Sequence, residues 1–112
     1  MANARKRASV LQGTLDLLVL STLSRGPLHG FGIALRIQQD SDELLRVEEG
    51  SLYPALHRLE QSGLIAGDWR ETDNGRRARF YGLTARGHRQ LARELDSWER
   101  ISRGVAMVLR LA

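Results

Sequence analysis

The side chains best suited to chemistry lie between Gly50 and Arg79, beginning with a short segment whose pattern predicts a helix. Its outer face presents Ser51, Tyr53, Pro54 and His57, with Arg58 at the flank. Such groups suit contact with base edges, thymine methyl groups and phosphates. Two plainer interpretations stay open: His57 as an ordinary surface histidine, and the Tyr53 ring packed against the strands that follow.

A second group of polar residues surrounds a turn between two strand-like runs. It contains Asn74, Gly75, Arg76, Arg77 and Arg79. Asn-Gly between such runs indicates a hairpin, because both residue types tolerate positive φ. Guanidinium groups on this hairpin would lie beside phosphates or enter a minor groove, adding affinity with little sequence information. Arg76 and Arg77 can also be read as solvated charges, and the direction of Arg79 stays open because side chains alternate along a strand.

The residue types exclude several other kinds of site. There is no nucleophile–base pair, phosphate-binding loop or metal-ligand set, and the three histidines (His29, His57 and His88) lack metal spacing. The absence of cysteine excludes disulfides and thiolate sites. We therefore expect no enzyme, no metal and no cofactor.

Length and charge fit one small domain with an anionic partner. The 112 residues allow one modest core, and 17 Lys and Arg against 13 Asp and Glu give a net charge of +4. Arg5, Lys6 and Arg7 are expected in a loose basic arm. No signal peptide is apparent, and the apolar run from Leu15 to Leu23 is too short to span a membrane, so a cytoplasmic protein is expected.

Three helices are expected to support the polar groups. The first begins at Gly13-Thr14 and is apolar nearly all round, which predicts a central, buried helix. The second covers about Gly30 to Gln39. Its expected inward side chains are Phe31, Ala34, Leu35 and Ile37.

The third helix is expected to begin near Ser51 as its cap, with Pro54 in the first turn. Its inner face is Leu52, Leu56 and Leu59. Glu48-Glu49 would complement the positive helix end. Strands are expected at about Leu64 to Glu71 and Arg77 to Leu83.

A last helix, capped by Thr84 and reaching about Leu111, carries a long apolar stripe. The stripe comprises Leu91, Leu95, Trp98, Ile101, Val105, Val108 and Ala112. Nothing else in the chain is left to cover its end, so a twofold copy of the same helix is the simplest partner. The expected fold class is mainly α with a small β wing: a winged helix-turn-helix plus a long C-terminal dimerisation helix.

The sequence resembles the PadR-like transcriptional regulators over about Leu11 to Trp98. The resemblance is carried by LQGTLDLLVLSTLSRGPLHGFGIALRI, by GSLYPALHRLEQSGLI and by RRARFYGLTARG, of which GSLYPALHRLE is the most specific. The short chain resembles the subgroup with one C-terminal helix. The resemblance implies a homodimeric, ligand-responsive repressor that binds double-stranded DNA at a pseudo-palindromic operator.

The resemblance also places site residues and boundaries. The family's recognition-helix contacts match Ser51, Tyr53, Pro54, His57 and Arg58, and its wing contacts match Asn74, Gly75, Arg76, Arg77 and Arg79. The expected boundaries are 1–12 for a flexible basic arm, 13–83 for the DNA-binding domain and 84–112 for the dimerisation helix. The alternative function is a winged-helix module that binds proteins without touching DNA.

Trp98 has two interpretations. A tryptophan on a helix stripe usually packs in a core or interface. Alternatively, Trp98 and its symmetry mate line a cleft and stack on a small aromatic ligand, since some PadR-like regulators sense such molecules near the dimer interface.

Overall fold

The computed structural model describes the backbone of residues 2–111 and the side chains of residues 13–111. The elements in chain order are α1 (Ala2–Leu23), β1 (Leu28–His29), α2 (Gly30–Asp40), α3 (Glu49–Gln61), β2 (Ile65–Glu71), β3 (Arg77–Leu83) and α4 (Ala85–Leu109). This confirms the expected class, mainly α with a small β wing and a long C-terminal helix. None of the helices within residues 2–111 has the length and hydropathy to cross a membrane.

The core forms around α1, as its apolar composition predicts. Val19 and Leu20 are fully buried, and the inner faces of α2, α3 and the sheet pack against them. The predicted inner face of α3 is confirmed, because Leu52, Leu56 and Leu59 are at most 4% exposed. Burying each such side chain contributes about 1.5–3 kcal/mol, so this core holds α3 at a defined angle.

The start of α1 differs from the expectation at Gly13-Thr14, since the helix begins at Ala2. The intervening residues include alanines, arginines and a lysine, which favour helix and contain no proline to stop it. The proposed basic arm at 1–12, with Arg5, Lys6 and Arg7, falls on side chains outside those described.

The inward face of α2 was only partly predicted. Ile37 is buried as expected, and Ala34 packs at the edge of the core. Phe31 is 65% exposed and Leu35 41%, so their inward assignment was wrong; Ile33 is fully buried instead. Ile33 and Ile37 lie four residues apart and therefore share one helix face, which is the face turned towards α1 and α3.

The start of α3 was also placed too late. Its N-cap is Glu48, which makes no side-chain capping bond, and Glu49 lies in the first turn, where a negative charge favours the helix dipole. Ser51 is therefore inside the helix. Pro54 lies in the second turn and cannot donate to the carbonyl of Gly50, which is a local weakness in the helix.

The sheet has one strand more than predicted. Its order is β1-β3-β2, all antiparallel, with Leu28 opposite Tyr81 and His29 opposite Phe80. We use "wing" for the hairpin of β2, β3 and their connecting turn. In that turn the N–H of Gly75 donates to the carbonyl of Thr72 across 2.9 Å. Gly75 has a φ of 80° but Asn74 does not have a positive φ, so the predicted hairpin forms through a five-residue connection rather than a two-residue Asn-Gly turn.

The cap of α4 is as predicted. The Thr84 hydroxyl accepts a hydrogen bond from the N–H of Gly87 across 3.0 Å, and the helix ends at Leu109. Among the described side chains, burial on α4 is confined to its first turns. Leu91 is 8% exposed, whereas Leu95 and Trp98 are each 47% exposed and Val108 is 81% exposed.

Candidate nucleic-acid interface

The outer face of α3 is open to solvent. Ser51, Tyr53, Pro54 and His57 are exposed, while the residues between them face the core. This pattern follows from the helical period, which places Tyr53 and His57 on one side of the exposed surface and Ser51 and Pro54 on the other. The structure divides the predicted residues of this helix: Ser51, Pro54 and Arg58 line one cavity, whereas Tyr53 lines another, beside the wing.

Tyr53 lies over the beginning of α2. A β-carbon on Gly30 would stand 2.9 Å from Cε1 and 3.0 Å from the hydroxyl oxygen of Tyr53, which is closer than side chains tolerate. Glycine at position 30 therefore lets the ring rest against the helix start while half of the ring stays exposed. The beginning of α2 is itself capped by the Nδ1 atom of His29, which accepts from the N–H of Gly32 across 2.9 Å.

The wing presents free arginines at its tip. Arg76 and Arg77 are exposed, and among the side chains of residues 13–111 neither forms an ion pair. The guanidinium of Arg77 lies 5.7 Å from the ring centre of Trp69, a cation–π arrangement that holds it near the strand surface. Asn74 accepts a hydrogen bond from the Thr72 hydroxyl, so its side chain shapes the turn.

A groove of 580 Å³ separates the start of α2 and Tyr53 from the wing. Its walls include aromatic rings, backbone and the guanidinium groups of Arg76, Arg77 and Arg79. Trp69 and Phe31 line the groove too, and sequence reasoning missed both. The sequence signal for Trp69 was its position on a strand directly beside the arginines.

Arg58 does not stand free on the α3 surface. Its Nη2 atom donates to Oδ1 of Asp16 on α1 across 2.9 Å. Burial raises the pKa of Asp16, and the charge and hydrogen bond of Arg58 offset part of that rise. The pair ties α3 to α1 and holds Arg58 at the flank, where it lines a cavity together with Ser51 and Pro54.

Arg79 is engaged as well. Its guanidinium forms an ion pair with Glu60 in the last turn of α3 and lies 5.9 Å from the ring centre of Tyr81. The hydrogen bond donated to Glu60 raises the pKa of Arg79, and burial raises the pKa of Tyr81. Arg79 therefore faces α3 across the groove, whereas Arg76 and Arg77 lie at the tip.

A second feature lies between α1 and α4. Trp98 lines a cavity of 330 Å³ together with Leu17, Glu94 and Ile101. The Oε2 atom of Glu94 is buried and accepts no hydrogen bond within the described part of the chain. The rest of the predicted stripe, Ile101, Val105 and Val108, is at least half exposed in the single chain, and Ala112 lies outside the described residues.

Comparison with known proteins agrees with this architecture. The model of the transcriptional regulator PadR-like family matches residues 19–93. The transcriptional regulator Rv3488 of Mycobacterium tuberculosis is 36% identical over 94 residues, covering 84% of each chain. A 37.1 kDa protein from transposon TN4556 of Streptomyces fradiae is 42% identical over 87 residues, which are 78% of this chain but 24% of that protein.

Solved structures share the same fold. A transcriptional regulator from Clostridium thermocellum superposes with a TM-score of 0.79 at 29% identity, covering 88% of this chain and 93% of that one. Bacillus subtilis PadR, solved in complex with operator DNA, superposes with a TM-score of 0.65 at 23% identity. The match covers 73% of this chain and 47% of the Bacillus protein, and at that identity it bears on the fold alone.

Proposed function

The chain belongs to the PadR-like family of transcriptional regulators, and we propose that it acts as a homodimeric repressor that binds a pseudo-palindromic operator. The observation that carries the proposal is the groove between the exposed face of α3 and the wing. Tyr53 lines it from α3, and the wing offers Arg76 and Arg77, which form no ion pair among the described side chains.

On this proposal α3 enters the major groove. Tyr53, Pro54 and His57 then meet base edges and methyl groups, with Ser51 near the backbone. The wing lies along the adjacent phosphates, where Arg76 and Arg77 neutralise charge, and the Asn74-Gly75 turn lets the strands approach closely. The operator-bound Bacillus relative supports DNA as the partner of this fold. Arg58 and Arg79 are engaged in ion pairs with Asp16 and Glu60, so we expect them to contribute less to phosphate contact than Arg76 and Arg77.

The second copy is supported by α4. Its apolar stripe continues from Leu91 through Leu95, Trp98, Ile101, Val105 and Val108, and of these described side chains only Leu91 is buried. Pairing the stripes of two chains would remove these side chains from water and hold two α3 helices roughly 34 Å apart, one duplex turn. Residues 13–83 are then the DNA-binding unit and 84–112 the dimerisation helix, with 1–12 as a basic arm.

The Trp98 cavity is the proposed ligand site. An indole ring provides a flat surface for stacking. The Glu94 carboxylate, whose Oε2 accepts no hydrogen bond from the described residues, favours a ligand that carries a donor or a positive charge. A small cationic aromatic molecule meets both requirements. Because the cavity lies between α1 and α4, its filling would shift the spacing of the two α3 helices and release the operator.

The experiment that tests the function is selection of bound fragments from a genomic DNA pool at about 0.15 M salt. Recovery of an inverted repeat with half-sites about one turn apart supports the dimeric regulator. Binding that is uniform across sequences contradicts operator recognition. No binding at low or moderate salt would favour the alternative, a winged helix that contacts a protein.

A further inference from the structure

One ion pair joins α3 directly to the wing. Glu60 lies in the last turn of α3 and Arg79 in the middle of β3. The Arg79 guanidinium donates a hydrogen bond to the Glu60 carboxylate. Their side chains are only 30% and 35% exposed. Partial burial reduces solvent screening, so this pair is held more firmly than an ion pair on open surface.

The sheet beneath the pair is shaped to let the Arg79 side chain cross it. Gly67 faces Tyr81 across the β2–β3 ladder, two register positions from the Trp69–Arg79 pair and therefore on the same sheet face. A β-carbon on Gly67 would stand 2.6 Å from Nε of Arg79. Glycine at position 67 therefore leaves room for the Arg79 side chain to extend towards α3. The Tyr81 ring lies beside the Arg79 guanidinium.

We propose that Glu60 and Arg79 form a strut that sets the angle between α3 and the wing, so that Arg79 is a positioning residue for DNA binding rather than a phosphate contact. The proposal rests on the proposed DNA-binding function. It separates Arg79 from Arg76 and Arg77, which stand at the tip without ion-pair partners among the described side chains.

The strut predicts an effect opposite in sign to simple electrostatics. Removing the negative charge of Glu60 beside DNA should strengthen binding if charge alone mattered. If Glu60 holds the wing in place, Glu60→Gln should weaken DNA binding. In that variant the wing is mobile before binding, and the entropic cost of ordering it reduces the affinity. The matched change Arg79→Gln should weaken binding by the same factor, and the double variant should show no further loss.

The test measures affinity of these three variants for the selected operator over a range of salt concentrations, with Arg77→Gln as the control. We expect each strut variant to bind roughly threefold more weakly with an unchanged salt slope. Arg77→Gln should flatten the slope by about 1.8 in a dimer, for two lost phosphate contacts. The proposal is overturned if Arg79→Gln flattens the slope as the control does while Glu60→Gln binds as well as the unaltered protein.

Two glycine variants test the same geometry without changing charge. Gly67→Ala should displace the Arg79 side chain and reproduce the loss of affinity. Gly82→Ala is the matched control, since its β-carbon would meet nothing nearer than Pro27 at 3.8 Å. Equal binding by the two alanine variants would contradict a strut that runs over Gly67.

Amide hydrogen exchange without DNA tests the strut independently of function. Glu60→Gln and Arg79→Gln should each speed exchange in β2 and β3 by a few fold while leaving α1 unchanged. Exchange equal to that of the unaltered protein would overturn the strut. If the unaltered protein binds no DNA, the proposed function fails, and the exchange result alone still decides whether the pair restrains the wing.

Discussion

The carbonyl oxygen of Leu64 occupies the space that a side chain on Gly87 would need: a β-carbon there would lie 2.0 Å from it. The same oxygen accepts a hydrogen bond from the N–H of Thr84 across 3.1 Å. This contact joins the first turn of α4 to the segment between α3 and β2. The direction in which α4 leaves the domain is therefore coupled to the position of α3.

Gly87→Ala should destabilise the fold by about 3 kcal/mol, because backbone atoms must separate to admit the methyl group. The control is Gly50→Ala in α3, where a β-carbon meets nothing within 4 Å and where alanine should stabilise the helix by roughly 0.5–1 kcal/mol. Urea unfolding measures both. Equal stability of the two variants would show that the backbone at Gly87 and Leu64 can move apart at little energetic cost.

Arg76→Ala combined with Arg77→Ala should weaken binding to all DNA sequences and flatten the salt slope by up to about 3.6 in a dimer. The control removes the same charge from Arg93 and Arg100, exposed residues of α4. Fluorescence anisotropy over a salt series measures the slopes. Loss of sequence preference with an unchanged slope would show that the wing arginines read bases.

Leu95→Glu should convert the dimer to a folded monomer. Leu95 is 47% exposed in the single chain, so a carboxylate is hydrated there, whereas burial in a paired stripe would cost several kcal/mol. Arg100→Glu, about 140° further around α4, is the control and should stay dimeric. Sedimentation measures the outcome. A dimeric Leu95→Glu protein would exclude this stripe as the interface.

Asp16 should make a pH-dependent contribution to stability. Its pKa is raised mainly by burial, so the folded chain holds the proton more tightly than the unfolded chain. The stabilisation from this bound proton is fully present below the ordinary Asp pKa of 3.8. It is lost as the pH rises through the pKa of Asp16 in the folded chain. The stability of the unaltered protein relative to Asp16→Asn should therefore fall as the pH rises above 3.8 and level off once the pH exceeds the folded pKa. Urea unfolding across this range tests it, and a relative stability that rises with pH would mean that Arg58 outweighs burial.

Trp98 fluorescence should report ligand binding. The chain has two tryptophans, so Trp69→Phe leaves Trp98 as the single reporter. We expect cationic planar aromatic compounds to quench Trp98 fluorescence more strongly than neutral analogues do. Glu94→Gln should reduce this difference in quenching, because the Glu94 carboxylate provides the preference for a positive charge. Quenching that is the same in Trp98→Phe, which retains Trp69, would place the ligand elsewhere.

Several parts of the fold follow from local sequence alone. The inner face of α3 is set by Leu52, Leu56 and Leu59, whose spacing matches the helical period and leaves one face to bury. The hairpin follows from Asn74-Gly75, and the start of α4 from Thr84, which can accept from an N–H of the first turn. Charge and residue types at α3 and the wing tip likewise led to the prediction of a nucleic-acid surface.

Other features depend on distant partners. Leu28 and His29 form a strand only because Phe80 and Tyr81 lie beside them. Two residues are too few to show a strand periodicity in the sequence, so this pairing could not be predicted. Arg58 and Arg79 look like further cationic contacts in the sequence, yet Asp16 and Glu60 neutralise them from other elements. The sequence by itself determined the buried face of α3 and where the wing turn and the α4 cap form, because those depend on residues a few positions apart, whereas the buried face of α2 was assigned correctly only in part. Tertiary structure alone decided which charges are paired, because an ion pair needs side chains that meet only after the helices pack.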